Sequence, residues 1–269
     1  LRPVINSLTE LAEWDAFTTS GWRGGAALHI DTGMNRLGLT FDEGTAVTER
    51  TKSESHGFTL LMSHLACADT PAHPMNNKQI QLFRELRVLN RGIPSSLANS
   101  SGIFLGDTAH CDMVRPGAAL YGVNPTPARS NPMRPVIELK GRILQVRQVN
   151  KGESVGYGAA FTATRPSRFA IVAVGYADGY ARAAGAAKGK PPAEAIVAGK
   201  HCPLAGRISM DLLAIDVTDL PTGGVRRGDW ATLIGGDIGV DALATATGTI
   251  GYEVLASLGR RYHRVYKGG

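Results

Sequence analysis

The period of the apolar positions changes once along the chain and divides it in two. In the first half, short apolar runs alternate with helical patterns. AALHI (26–30), GFTLLMSH (57–64), SSLAN (95–99) and DMV (112–114) read as strands, with amphipathic stretches between them. Over NKQIQLFRELRVLN (77–90), Ile80, Phe83, Leu86 and Leu89 fall near one helical face, a core stripe rather than a ligand box. Repeated β-α units of this kind predict a parallel sheet. A closed (β/α)8 barrel takes eight units and at least roughly 200 residues, and this half offers about half that number. The pattern therefore suits either an open sheet or part of a barrel.

NPTPARSNPMRP (124–135) interrupts any regular element with its prolines and polar residues. Beyond it the runs PVIELKGRILQVRQV, RFAIVAVGY, EAIVAG, MDLLAIDV and WATLIG follow one another between Gly, Pro and Asp turns at hairpin-like spacing. The expected organisation is an α/β domain over residues 1–130 and a mainly-β domain over 131–269.

Composition narrows the class. At 269 residues, 43% hydrophobic and 19% charged, the chain is long enough for one large or two medium cored domains. No run approaches the roughly 20 apolar residues that span a bilayer, and LRPVINSLTELAEW lacks the pattern of a secretory signal, so a cytoplasmic location is expected. Cys67, Cys111 and Cys202 are odd in number and have no CxxC spacing, which argues against a disulfide framework or a metal site. The net charge of +6 is scattered, without a basic helix interleaved with aromatics. An anionic small molecule fits that excess better than nucleic acid.

Eight segments carry more specific information: HIDTGMNRLG (29–38), SHLACAD (63–69), ANSSG (98–102), MVRPGAALYG (113–122), VGYGAAF, VGYADGY, GRISMD and IGYEV. In this order and spacing, over essentially the whole chain, they resemble bacterial alanine racemase, a pyridoxal 5'-phosphate (PLP) enzyme. The resemblance implies the C-terminal portion of an (α/β)8 TIM-like barrel followed by a mainly-β domain. It also implies interconversion of L- and D-alanine for peptidoglycan, in a homodimer with shared active sites. The family's KAxAYG-type motif, whose lysine binds PLP covalently, has no counterpart in this sequence. The lysines at 52, 78, 140, 151, 188, 190, 200 and 267 lack that context, so the chain is expected to be a C-terminal part that is inactive by itself. A serine or broad-specificity racemase, or a non-catalytic dimerisation remnant, are the alternatives.

Roles follow residue by residue from the resemblance. Arg115 matches the arginine that bonds the PLP pyridine nitrogen; alone, it reads as readily as a surface arginine before a turn. Ser100 matches the serine that holds the phosphate with amides corresponding to Gly117 and Ala118, and Tyr252 matches a phosphate-binding tyrosine. Racemisation needs a base on each face of Cα. One is the family's PLP lysine; the other matches Tyr157, contributed to the partner subunit and linked through His64 to Arg115. Arg36 matches the arginine near the PLP phenolic oxygen and substrate carboxylate. Met210 and Asp211 match residues reaching the neighbouring active site, and Tyr176 matches an access-channel tyrosine. Two departures stand out. His29 occupies the place of a carbamylated lysine, so Arg36 is expected to need another anion, and Ser209 replaces a cysteine found in some members.

Overall fold

The computed structural model describes residues 1–21, 24–52, 57–186 and 191–268; Lys188 and Lys190 lie outside them. The chain separates into two compact units. One comprises residues 1–119 with 125–132, the other 120–124 with 133–269. The crossing back at 120–124 places five residues of the expected first domain with the second.

The first unit runs β1 (Val4–Ile5), α1 (Leu8–Thr18), β2 (Ala26–His29), α2 (Phe41–Ala46), α3 (Thr48–Thr51), β3 (Phe58–Met62), α4 (Pro74–Leu89), β4 (Ser95–Ser96) and α5 (Asp107–His110). The four strands form a parallel sheet in sequence order. Leu28, Ile30, Phe58 and Leu61 pack from one face against Trp14, Phe83 and Leu86 of the helices. His29, Met62 and Ser96 are register partners along a line across the sheet, so their side chains share the opposite face.

Three expectations need correction. Residues 112–114 form no strand, because the amides of Asp112 and Met113 both converge on the Ser95 carbonyl instead of continuing a ladder. The stretch 95–99 pairs only through Ser95 and Ser96. Leu89, the last residue of α4, is exposed and leaves the stripe that Phe83 and Leu86 anchor. The helix also begins earlier than the pattern suggested, since Pro74 supplies its first position and His73 accepts from the Met75 amide.

The second unit carries β5 (Leu139–Val149), β6 (Ser154–Val155), β7 (Phe161–Thr162), β8 (Ser167–Val172), β9 (Glu194–Val197), β10 (Lys200–Ala205), β11 (Leu213–Asp216), β12 (Trp230–Ile234), α6 (Val240–Thr247) and α7 (Gly251–Ser257). Six of these strands close into an antiparallel barrel in the order β10-β11-β8-β5-β12-β9, which leaves no free edge. Ile143, Phe169, Val172, Leu204, Ile215 and Leu233 are buried. β10 escaped the apolar pattern because KHCPLA is polar at its start. Its pairing is set by the Ala198-Gly199 turn, where both residues take positive φ as a two-residue hairpin requires.

Candidate functional site

In the first unit the functional side chains gather where the parallel strands end, the edge at which such sheets bind ligands. Arg115 organises them. Its Nη1 donates to Ser96 Oγ (2.5 Å), and its Nη2 donates to the carbonyls of Ser63 (2.5 Å) and Leu97 (3.4 Å) and faces His64 Nδ1 at 3.5 Å. Its Nε–H has no acceptor among the described residues. Burial lowers the Arg115 pKa from its ordinary value, yet a guanidinium so well supplied with acceptors keeps its proton.

His64 is half-buried and faces donors on both sides, with Asn99 Nδ2 3.3 Å from its Nε2. Burial first, then Arg115, Arg36 and His29, push its pKa down to about 4, so the ring is neutral near pH 7. Its backbone is pinned by Gln79, which is fully buried on α4. Gln79 Nε2 donates to the His64 carbonyl (2.9 Å) and to Thr32 Oγ1 (3.2 Å), while Oε1 accepts from the Ala66 amide (2.9 Å).

Ser100 is 2% exposed, and its Oγ accepts from the amides of Gly117 (2.9 Å) and Ala119 (3.3 Å). With both lone pairs engaged, its remaining capacity is the O–H donor, which suits an anion. The Gly117 amide, expected to face a phosphate, donates to Ser100 instead. The space where a Gly117 side chain would stand has no atom within 4 Å. Arg36 sits on the turn after β2, shaped by Asp31, whose carboxylate accepts from the amides of Gly33 (2.8 Å), Met34 (2.8 Å) and Asn35 (2.7 Å). Arg36 is exposed and has no hydrogen-bond or ion-pair partner among the described residues.

The second unit carries its own group. Tyr157 opens a 3-10 turn between Gly156 and Gly158, both at positive φ, and is 69% exposed. Tyr176 opens another, tied to the Met210 loop by Tyr176 N to Ser209 O (3.1 Å) and Ala177 N to Met210 O (2.9 Å). Arg261 joins the same two segments, with Nη2 on Asp211 (2.8 Å) and Nε on Asp178 (3.2 Å). Tyr252 lies in the first turn of α7, half-exposed. Tyr176, Met210 and Asp211 are thus brought together, as are Arg115, His64 and Ser100 in the first unit.

Ser63, Ser96, Gln79, Asn99 and Arg261 escaped the reading from sequence. Asn99, Ser63 and Ser96 lay within the motif and strand segments, and their signal was a polar residue at the end of a parallel strand. Gln79 and Arg261 carried none. An open cavity of about 560 Å³ beside Arg87, Pro94 and Asp112 lies at the opposite end of β4 and takes no part in this cluster. Among the described residues no cluster of His, Cys, Asp and Glu could hold a metal ion.

The first unit is thus a parallel α/β sheet with a fixed cation, a neutral histidine and a buried hydroxyl donor gathered at its strand ends, groups whose chemistry suits an anionic small molecule, and the second unit is a closed β barrel. Comparison with known proteins makes the class specific. Residues 1–125 match the family model "Alanine racemase, N-terminal domain", and residues 136–266 match "Alanine racemase, C-terminal domain". The alanine racemase of Methylobacterium sp. (strain 4-46) is 49% identical over 267 residues, covering 99% of this chain and 72% of that protein. Among solved structures, the alanine racemase of Bartonella henselae with covalently bound pyridoxal phosphate superposes with a TM-score of 0.88 at 36% identity, covering 99% of this chain and 73% of that one. The biosynthetic alanine racemase of Pseudomonas aeruginosa gives 0.87 at 38% identity, with 98% and 73% covered. The chain belongs to the alanine racemase family, and its fold is the family's TIM-barrel architecture, represented by four parallel strands, plus the C-terminal β domain.

Proposed function

We propose that this protein is a PLP-dependent alanine racemase that interconverts L- and D-alanine by two-base proton transfer. The observation that carries this reading is the Arg115–His64 pair beside the doubly engaged Ser100 hydroxyl. It works in the cytoplasm as a homodimer and supplies D-alanine for peptidoglycan. Among the described residues no helix is long and apolar enough to cross a membrane.

The residues present fit the cofactor. A phosphate needs hydrogen-bond donors and no crowding side chain, met by the Ser100 O–H and the open space at Gly117. A pyridine nitrogen needs a donor, met by the free Nε–H of Arg115. When bound, PLP supplies the electron sink that makes the substrate Cα–H acidic. Arg115 retains its own proton, so a nitrogen facing it stays unprotonated and the sink remains weak, favouring proton return to Cα over side reactions. Tyr252 supplies a further hydroxyl for the phosphate.

Tyr157, offered to the partner subunit, is the base on one face of Cα. A tyrosine works as a base near neutrality only when its phenolate is stabilised. Neutral His64, fixed by Arg115, conveys that stabilisation without adding a competing acid. Arg36 receives the substrate carboxylate together with the Met210 segment, and Asp211 and Tyr176 border the approach. By resemblance to the family, the base on the other face is the PLP-binding lysine, which has no counterpart in this sequence.

The test is racemase activity of the full-length protein in both directions, with Tyr157→Phe beside it. Loss of a general base costs about 10²- to 10⁴-fold in kcat/KM. Full activity of Tyr157→Phe in both directions would remove the two-base assignment.

A further inference from the structure

Arg261 lies outside every motif that carries the resemblance, yet it touches two of them. Its Nη2 lies 2.8 Å from Asp211 Oδ1 in GRISMD and its Nε 3.2 Å from Asp178 Oδ1 in VGYADGY, so one planar fork spans both carboxylates. Asp178 is buried, and its Oδ2 accepts the Gly175 amide (2.8 Å), which closes the turn that carries Tyr176. Arg261 extends that closure to the Met210–Asp211 segment. The end of α7 brings the guanidinium there. Gly179, at φ 89°, permits the approach, because a Cβ at that position would overlap the Ser257 carbonyl. The Gly259 amide then donates to the Asp178 carbonyl (2.9 Å), and Arg264 Nη2 donates to the carbonyls of Leu258 (3.3 Å) and Gly259 (3.1 Å). The loop that presents Arg261 is thereby fixed.

As an ion pair alone, Arg261 with Asp211 would count for little, since both side chains are about half exposed and water screens such pairs. Its effect is geometric. The amides of Met210 and Asp211 donate to no acceptor among the described residues, so this exposed segment keeps two N–H groups for an incoming anion. Two backbone hydrogen bonds tie the segment to the Tyr176 turn, from Tyr176 N to Ser209 O (3.1 Å) and from Ala177 N to Met210 O (2.9 Å). Both reach it through carbonyls at or before Met210. Arg261 adds the tie on the other side, through the Asp211 side chain, and so removes the freedom of the amides between them to swing.

We propose that Arg261 is a positioning residue for the substrate carboxylate: by bridging Asp178 and Asp211 it holds the Met210–Asp211 amides at a fixed place against the Tyr176 turn. The carboxylate role of the Met210 segment rests on the racemase reading above, whereas the bridge rests on the geometry of the second unit alone.

Amide hydrogen exchange on the full-length protein reads the bridge without reference to activity. In Arg261→Met the Tyr176 and Ala177 amides should exchange about tenfold faster, the scale of one weakened hydrogen bond, while the amides of β8 keep their protection. That variant also leaves the buried Asp178 carboxylate without its cation, so Asp211→Ala is measured beside it. It keeps Arg261 on Asp178 and should speed the same two amides. Unchanged exchange at Tyr176 and Ala177 in either variant would overturn the bridge. In the PLP-loaded enzyme, Arg261→Met should raise KM for alanine about tenfold with kcat unchanged, because the carboxylate is held alike in ground and transition states. The double variant should raise KM no further than the worse single one, since both remove one link. Rises that multiply, or a fall in kcat at unchanged KM, would refute the role toward the carboxylate. A wild-type protein with the expected exchange pattern but no racemase activity would instead count against the racemase reading alone.

Discussion

Gly175→Ala probes the contact that aligns the Tyr176 turn with the Met210–Asp211 segment. Gly175 has φ −148°, an extended conformation open to any residue, so alanine meets no backbone strain there. The obstacle is steric. An ideal Cβ at Gly175 would stand 2.2 Å from the Met210 carbonyl oxygen, 2.4 Å from its carbon and 2.5 Å from the Asp211 nitrogen. All three are backbone atoms, so no rotamer change relieves the overlap, and the segments must part by about 1 Å. That displacement weakens Tyr176 N to Ser209 O and Ala177 N to Met210 O. Two backbone hydrogen bonds at about 1 kcal/mol each, added to an overpacking cost of about 1–3 kcal/mol, give a loss of about 3–5 kcal/mol. Against a typical total of about 5–15 kcal/mol this is readily measured by urea denaturation. Gly117→Ala is the control, since its Cβ would meet nothing within 4 Å; its stability should stay within about 0.5 kcal/mol of wild type. A loss below about 1 kcal/mol in Gly175→Ala would refute the argument.

His64 makes stability depend on pH. Its folded pKa of about 4 lies below the reference 6.5, so the unfolded chain takes up the proton first as pH falls. Its contribution is complete above pH 6.5 and is lost on the way down to about pH 4. After screening of a half-exposed ring it amounts to about 1 kcal/mol. His64→Gln should flatten the denaturation midpoint across that window, and an unaltered slope would contradict the assignment. Ser100→Ala removes the hydroxyl donor and strands the Gly117 and Ala119 amides. PLP affinity, followed by absorbance titration, should fall about tenfold, with stability lower by about 1–2 kcal/mol; unchanged affinity would separate Ser100 from the phosphate.

The parallel order of the first strands and the β character of the second half were legible because period and punctuation are local properties. AALHI and RFAIVAVGY show their burial in their own residues. So did the motif set that pointed to the family, including Arg115, Ser100 and Tyr157. Other features depended on partners distant in sequence. Residues 112–114 look like a strand, yet their amides spend themselves on one carbonyl of β4. KHCPLA looks like a loop, yet β9 and β11 claim it on both sides.

The site divides in the same way. Residue types were decided locally, since a fixed cation, a hydroxyl beside glycine and a tyrosine between glycines each bear their chemistry in sequence. Their protonation states were not. Whether His64 is neutral depends on burial and on Arg115, 51 residues away. Which ring nitrogen of His29 carries its proton depends on Asn6, just past the end of a neighbouring strand, whose Oδ1 lies 2.9 Å from Nδ1. Desolvation and hydrogen-bond direction are properties of packed surroundings. Amino-acid order determined which groups this protein possesses; only the tertiary structure decided which of them hold protons, because that is settled by neighbours the chain brings together from afar.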